Sequence, residues 1–149
     1  MMTRNTDPVV KALEQALADT FALALKTQTY HWNVVGPNFY GLHNLFEEQY
    51  TDGFAAVDEL AERIRALDAP APGGLAAFKE IAQIADPKNG IDAKGMIDDL
   101  IDSNETISKS LKAGVETAEE NRDPSTADML TARVTVHDKA TWMLRSLRG

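Results

Sequence analysis

The feature that most constrains the fold is the spacing of proline and glycine clusters, which divide the chain into four long segments. The clusters lie at positions 36–37, 68–74, 86–90 and 123–124. Between them, apolar residues recur every three or four positions, as they do on one face of an α-helix. No segment shows the apolar and polar alternation of a strand, and no internal repeat is evident. The pattern therefore predicts an all-α chain.

Helix boundaries follow from the local signals for helix starts and stops. The first helix is predicted from Asp7, as N-cap before Pro8, to about Trp32, and the second from after Gly36-Pro37 to Leu67. The third long helix is predicted over 92–120, and the fourth after the cap-and-proline pair 123–124. A short helix is predicted over 75–85, within the connection 68–91.

The lengths of these segments predict the architecture. Each long helix spans about 40 Å, and helices of matched length pack side by side. The short joints at 33–38 and 121–123 favour antiparallel hairpins, whereas the connection 68–91 can return the chain along the bundle. We therefore expect a ferritin-like four-helix bundle, with one long crossover that carries a short helix. With 149 residues, the whole chain 1–149 is expected to form a single domain.

Composition excludes several classes of protein. The mean hydropathy is −0.29 and no apolar run approaches the ~18 residues of a membrane span, so no membrane association is expected. The N-terminus shows no apolar core of a signal peptide, which makes a cytoplasmic location the expectation. The chain has no cysteine, so any metal must be held by histidine, carboxylate or amide groups.

Potential metal ligands share one face of the second predicted helix. With His43 at 0°, Glu47 lies at about 40°, Asp58 at about 60° and Glu62 at about 100° around the axis. His43 and Glu62 are nevertheless about 28 Å apart along the helix, too far to bind one ion within a chain when metal–ligand bonds are about 2 Å long. One chain alone cannot complete this site.

The order of these ligands is symmetric about the point between Asp52 and Gly53. An antiparallel two-fold partner would place His43 near Glu62 of the second copy, and Glu47 near its Asp58. A two-fold dimer would then hold two equivalent centres, about 22 Å apart. We expect Gly53, which has no Cβ, to allow the two helices to approach closely at the axis.

His31 extends this ligand set from the first helix. It continues the heptad-spaced stripe of Leu17 and Ala24, which points it towards the second helix. Two imidazoles and three carboxylates suit Fe(II), Mn(II) or Zn(II). Without a cation or protons, three carboxylates at a covered interface would repel one another strongly.

Each of these residues also has a purely structural interpretation. Asp58 and Glu62 could form surface ion pairs with Arg63 or Arg65, which are usually worth about 0–1 kcal/mol. His31 could be a hydrogen-bonded core histidine, and this is the interpretation we prefer for His137. Tryptophans 32 and 142 could serve packing alone, and Asp123 is first of all a helix cap.

Several segments resemble the Dps family, the DNA-protection-during-starvation miniferritins. They are the run His31-Trp32-Asn33-Val34-Val35-Gly36-Pro37-Asn38-Phe39, the second-helix residues His43, Phe46, Glu47, Tyr50, Asp58 and 61–63, and the fourth-helix segments 128–131, 137–139 and 142–144. The match covers the first two helices densely. The resemblance implies a hollow dodecamer built from two-fold dimers, whose centres oxidise Fe(II), preferably with hydrogen peroxide, and whose interior stores ferric mineral.

The resemblance also implies particular residue roles. The family's ligands fall on His31, His43 and the acid at 47 of one subunit, and on Asp58 and Glu62 of its partner. The family usually has Asp at the third of these positions, where Glu47 is one methylene longer. Trp32 would supply an electron or absorb a radical next to the centre, and Asp123 and Asp128 would line iron pores.

Charge argues against DNA binding as the main function. The family often uses a mobile Lys-rich tail. Residues 1–8, however, contain a single basic residue, Arg4, and the chain carries a net charge of −8. Such a chain repels phosphate backbones unless cations bridge the two. A nucleoid-associated protein that shields DNA with little iron chemistry remains the alternative. A ferritin with its di-iron site inside one bundle is disfavoured, because no Glu-x-x-His pair is present.

Overall fold

The computed structural model describes residues 7–149 as five helices. They are α1 (Asp7–Asn33), α2 (Phe39–Ala66), α3 (Leu75–Ile81), α4 (Ala93–Glu120) and α5 (Pro124–Arg148). Residues 7–149 contain no strand. Residues 1–6, which make up most of the N-terminal segment without a Lys-rich tail, and the side chain of Asp7 lie outside the described part. The predicted all-α fold, with its long crossover and short helix, is confirmed.

The four long helices pack as two hairpins. α1 packs along α2 and α4 along α5, while α1 also contacts α4 and so joins the hairpins. The predicted apolar stripes form the shared core, in which the largest fully buried apolar side chains include Leu13, Leu17, Phe46, Leu60, Ile64, Leu100, Ile107, Leu130 and Leu144. Burying this apolar surface supplies the main driving force for the fold.

Aspartate caps start both helices of the second hairpin. The Asp92 side chain accepts a hydrogen bond from the Gly95 backbone N–H (2.8 Å) at the first turn of α4. The Asp123 side chain does the same for the Thr126 N–H (3.0 Å) at α5, where Pro124 occupies the first helical position. Both caps satisfy amide donors that a helix start leaves free.

The short helix ends earlier than expected. The sequence predicts a short helix over 75–85, whereas α3 ends at Ile81 and Ala82 is extended. The reason is a tertiary contact: the Gln83 N–H donates to the buried Asp19 carboxylate of α1 (2.6 Å), and Ile84 is buried in the core. Burial raises the pKa of Asp19, although hydrogen bonds to its carboxylate, including the one from Gln83, oppose the rise. An extended chain can make both contacts, whereas a continued helix would keep that N–H for itself.

A buried charged network ties the two hairpins and the crossover together. Lys26 Nζ lies 3.2 Å from the Asp99 carboxylate, and the Tyr30 hydroxyl donates to the same carboxylate over 2.6 Å. The Lys88 backbone N–H of the crossover in turn donates to the Tyr30 hydroxyl (2.9 Å). Both charges are therefore paired, which a buried charge requires.

Membrane insertion finds no support in the helices. None of those in the described chain combines the length and apolar character needed to cross a bilayer.

Candidate metal centre

Two histidines stack where α1 ends and α2 begins. The imidazole rings of His31 and His43 lie 3.8 Å apart between centroids and within 17° of parallel. His31 Nδ1 lies 2.7 Å from the His43 backbone carbonyl oxygen, and His43 Nδ1 lies 2.8 Å from the His31 carbonyl oxygen. Both distances are those of hydrogen bonds. The carbonyls can only accept, so both Nδ1 atoms carry protons when the rings are neutral. Both Nε2 lone pairs are then free to bind a metal.

Glu47 brings a carboxylate to these nitrogens. Its Oε1 lies 3.7 Å from His31 Nε2, and one ligand atom from each of His31, His43 and Glu47 falls within a 4.8 Å group. The longer Glu side chain thus still reaches the site. Two imidazole nitrogens and one carboxylate oxygen form a borderline donor set, which suits ferrous iron.

Two aromatic residues contact the histidine rings. Phe39 stacks on the His43 ring and Tyr50 meets the His31 ring edge-on, with centroids about 5 Å away in each case. The His31 side chain is 7% exposed, but that of Glu47 is 57% exposed. The two imidazoles are therefore held in place by carbonyl and ring contacts, while the exposed Glu47 leaves this face open to a further ligand or a partner.

Asp58 and Glu62 are exposed on α2 and stand apart from this group. Their alternative role as partners of neighbouring arginines is not observed. Arg63 pairs with Asp123 (3.0 Å) and Arg65 donates to the Ala69 carbonyl, and among residues 7–149 neither acid forms an ion pair. Two carboxylates without an ion-pair partner in residues 7–149 thus lie on α2, the helix that also carries His43 and Glu47.

Gly53 does not have the predicted position. It is buried, and a Cβ added there would lie 3.1 Å from the Ala24 Cβ of α1 in the same chain. The missing side chain therefore permits close packing of α1 on α2 and does not face a two-fold axis. Helical geometry explains the error, because position 53 falls at about −80° on the scale where His43 is 0°, within the apolar stripe.

The other predicted residues divide into exposed and structural ones. Trp32, beside His31, is 64% exposed, and Asp128 is also exposed. Asp123 is the cap of α5 and pairs with Arg63. Burial raises the pKa of Asp123, but hydrogen bonds from Thr126 and the Arg63 charge outweigh that effect and lower it.

His137 is a core histidine, as expected. Arg133 Nη2 lies 3.2 Å from its Nε2, and its Nδ1 lies 2.9 Å from Asn104 Oδ1. Burial, followed by the Arg133 charge, lowers the pKa of His137 to about 3. The ring therefore stays neutral, and its Nε2 lone pair accepts from Arg133 instead of binding a metal.

Sequence reasoning missed Arg133 itself. This side chain is 9% exposed, and its Nη1 donates to the Asp52 carboxylate over 2.9 Å. A signal was present, because Arg133 lies three residues after Leu130 and four before His137 on the buried face of α5. Sequence alone gives little reason to expect burial of an arginine on that face, because lone arginines are rarely buried.

Comparisons with known proteins identify the family of this chain. The family model described as a ferritin-like domain matches residues 10–149. DNA protection during starvation protein 2 of Bacillus anthracis is 36% identical over 138 residues, which cover 93% of this chain and 94% of that protein.

Solved structures give the same result. A Dps protein from Bacillus brevis superposes with a TM-score of 0.96 at 34% identity and covers 100% of both chains. A Vibrio cholerae Dps protein, described as a member of a broad superfamily of ferritin-like diiron-carboxylate proteins, has a TM-score of 0.92 at 30% identity, covering 97% of this chain and 91% of that one. From this sequence and structural similarity, the chain belongs to the Dps family of ferritin-like proteins.

Proposed function

We propose that this protein is a miniferritin that oxidises Fe(II) at centres shared across a two-fold subunit interface and stores the ferric product. The observation that carries the proposal is the half-site itself. His31, His43 and Glu47 present three donor atoms within 4.8 Å on an accessible face. The two carboxylates that would complete the centre, Asp58 and Glu62, are exposed and unpaired within residues 7–149 of the same chain.

The chain's own residues would perform three tasks at this centre. The reciprocal carbonyl contacts hold both imidazoles in the tautomer that presents Nε2, so iron binds without ring rotation. Glu47, with Asp58 and Glu62 of a second copy, would add negative charge. That charge stabilises the higher charge of ferric over ferrous iron, and so favours oxidation.

Hydrogen peroxide is the oxidant we propose. Two ferrous ions each give up one electron, the O–O bond breaks, and two protons are consumed to yield two waters. The electrons thereby leave as a pair, without release of a hydroxyl radical. We propose that Trp32, exposed next to His31, donates an electron when only one ferrous ion is present.

The assembly we propose is a dodecamer made of two-fold dimers, with Asp123 and Asp128 lining its iron pores. The structure favours Asp128 as the freer pore ligand, since Asp123 is held by Thr126 and Arg63. DNA would be protected by removal of iron and peroxide more than by binding, because each chain carries −8. Retention of DNA in a gel shift without divalent cations would instead support the nucleoid-binding alternative.

Stopped-flow iron oxidation tests the proposal. Anaerobic protein loaded with Fe(II) and mixed with peroxide should give soluble ferric cores and no spin-trapped hydroxyl radical. His43→Ala and Glu62→Ala should each slow the initial rate roughly 100-fold, because each removes a ligand. Glu59→Ala is the matched control, since Glu59 is also exposed on α2 but lies outside the ligand face. Unchanged rates in both ligand variants would refute the assigned centre.

A further inference from the structure

A half-open cavity of about 250 Å³ lies between the long helices of the bundle, and its lining does not include His31, His43 or Glu47. All four long helices contribute to its lining. Much of its wall is aliphatic, including Leu23, Leu45, Val136 and Met143. It is smaller than the pockets that hold drug-sized ligands, so its occupant must be a molecule of few heavy atoms.

Three buried polar atoms without a hydrogen-bond partner belong to residues that line this one cavity. They are Thr20 Oγ1, Gln49 Nε2 and Arg133 Nε, and no other buried side-chain nitrogen or oxygen in residues 7–149 lacks a partner. Thr20 and Arg133 are both more than nine-tenths buried. Unsatisfied buried groups are costly and rare, and three around a single cavity indicate a missing partner.

The chemistry of these atoms defines that partner as a hydrogen-bond acceptor. Gln49 Nε2 and Arg133 Nε can only donate, and the Thr20 hydroxyl can donate as well. Two acceptors of the lining are already used, since Asn104 Oδ1 pairs with His137 and the Asp52 carboxylate pairs with Arg133. The exposed Glu48 carboxylate, also in the lining, forms no hydrogen bond with any of the three donors. The guanidinium charge opposes a metal cation here, in contrast to the half-site at His31.

We propose that this cavity binds a small aliphatic monocarboxylate. Its carboxylate would accept from Gln49, Arg133 and Thr20, and its short chain would lie against the aliphatic wall. A second cation, Lys139, also lines the cavity. The two acids of the lining, Glu48 and Asp52, do not prevent this, because both are exposed to solvent and the cations Arg133 and Lys139 match them in number.

Calorimetric titration of the assembled protein with butyrate and hexanoate tests the proposal, with butylamine as the charge-reversed probe. Both carboxylates should bind at millimolar concentration or tighter, and the amine should not. Thr20→Val and Gln49→Leu should each weaken binding roughly tenfold, the effect of one hydrogen bond to a charged group. Both variants should fold, because neither removes an existing hydrogen bond of the described chain.

Thr27→Val is the matched control. Thr27 lines the same cavity, but its hydroxyl already donates to the Leu23 carbonyl (2.8 Å), so carboxylate affinity should not change. Ala140→Leu should fill the cavity and abolish binding while leaving iron oxidation intact, which separates this site from the proposed function. Crystals soaked in hexanoate that show only water in the cavity, or equal weakening by Thr27→Val and Thr20→Val, would overturn the proposal.

Discussion

Two buried histidines in this bundle have opposite chemistry, although both lie on the inward stripe of a long helix. His31 uses Nδ1 for a backbone carbonyl and leaves Nε2 beside a carboxylate. His137 uses both nitrogens, one with Asn104 and one with Arg133. Burial alone therefore does not identify a ligand histidine. What distinguishes the two is whether the neighbour of the second nitrogen is an acid or an arginine.

The largest effect we expect is a loss of oxidation rate when His31 is replaced, in contrast to a loss of stability when His137 is replaced. His31→Ala should lower the initial rate of Fe(II) oxidation roughly 100-fold, because a ligand is lost. His137→Gln should change that rate less than about twofold but lower the free energy of unfolding by about 1–3 kcal/mol, since buried partners lose a hydrogen bond. Stopped-flow absorbance and urea unfolding measure the two quantities. A comparable loss of rate in both variants would erase the distinction.

The pH dependence of stability should sharpen the contrast. The pKa of His137 in the folded chain is about 3, below the ordinary value of 6.5, so the unfolded chain binds more protons between these values. Its contribution is therefore full above pH 6.5 and is lost as pH falls towards 3. At pH 5 the loss should be about 2 kcal/mol per chain.

Urea unfolding of the wild type and His137→Gln at pH 7 and pH 5 checks this expectation. Comparing the two proteins cancels the contribution of Asp19, whose raised pKa acts in the opposite direction. The wild type should lose about 2 kcal/mol more than the variant between these pH values. An equal loss of stability in both proteins would mean that a group other than His137 causes the pH dependence.

Gly53→Ala should produce a smaller effect, confined to packing. The added Cβ would lie 3.1 Å from the Ala24 Cβ, so α1 and α2 must separate slightly. We expect a loss of about 1–3 kcal/mol in the free energy of unfolding, with the dimer retained. Loss of the two-fold dimer at unchanged chain stability would instead show that Gly53 lies in the subunit interface. Size-exclusion mass measurement distinguishes these results.

Glu47→Asp should have the smallest effect. Removing one methylene withdraws the carboxylate by about 1.5 Å from a site that Glu47 already reaches. We expect a change of about two- to fivefold in the oxidation rate, with iron stoichiometry retained. Glu48→Asp, on the adjacent exposed position, is the matched control. A change as large as that from Glu47→Ala would mean that the extra methylene is essential to binding.

The sequence predicted the helices well, because their signals are local. Periodicity, Pro124 at a helix start and the cap at Asp123 each act within a few residues. The prediction failed where a distant contact decided the outcome. α3 stops at Ile81 because Asp19 binds Gln83, 64 residues away in sequence.

The grouping of the proposed metal ligands was also predictable, but the contacts around them were not. Ligand spacing on α2 and the stripe through His31 indicated His31, His43 and Glu47, which the structure brings together. The reciprocal contacts that orient the two imidazoles, and the half-open cavity lined by Arg133, depend on how helices meet in three dimensions. Neither follows from periodicity along one helix.

Subunit complementation tests most directly whether each centre draws ligands from two chains. His43→Ala and Glu62→Ala would be dissociated, mixed in equal amounts and reassembled, with exchange verified by mass spectrometry. Each mixed dimer then holds one centre with all its ligands and one lacking two. Random pairing predicts recovery of about one quarter of wild-type activity from two inactive parents. No recovery after verified exchange would contradict the shared centre.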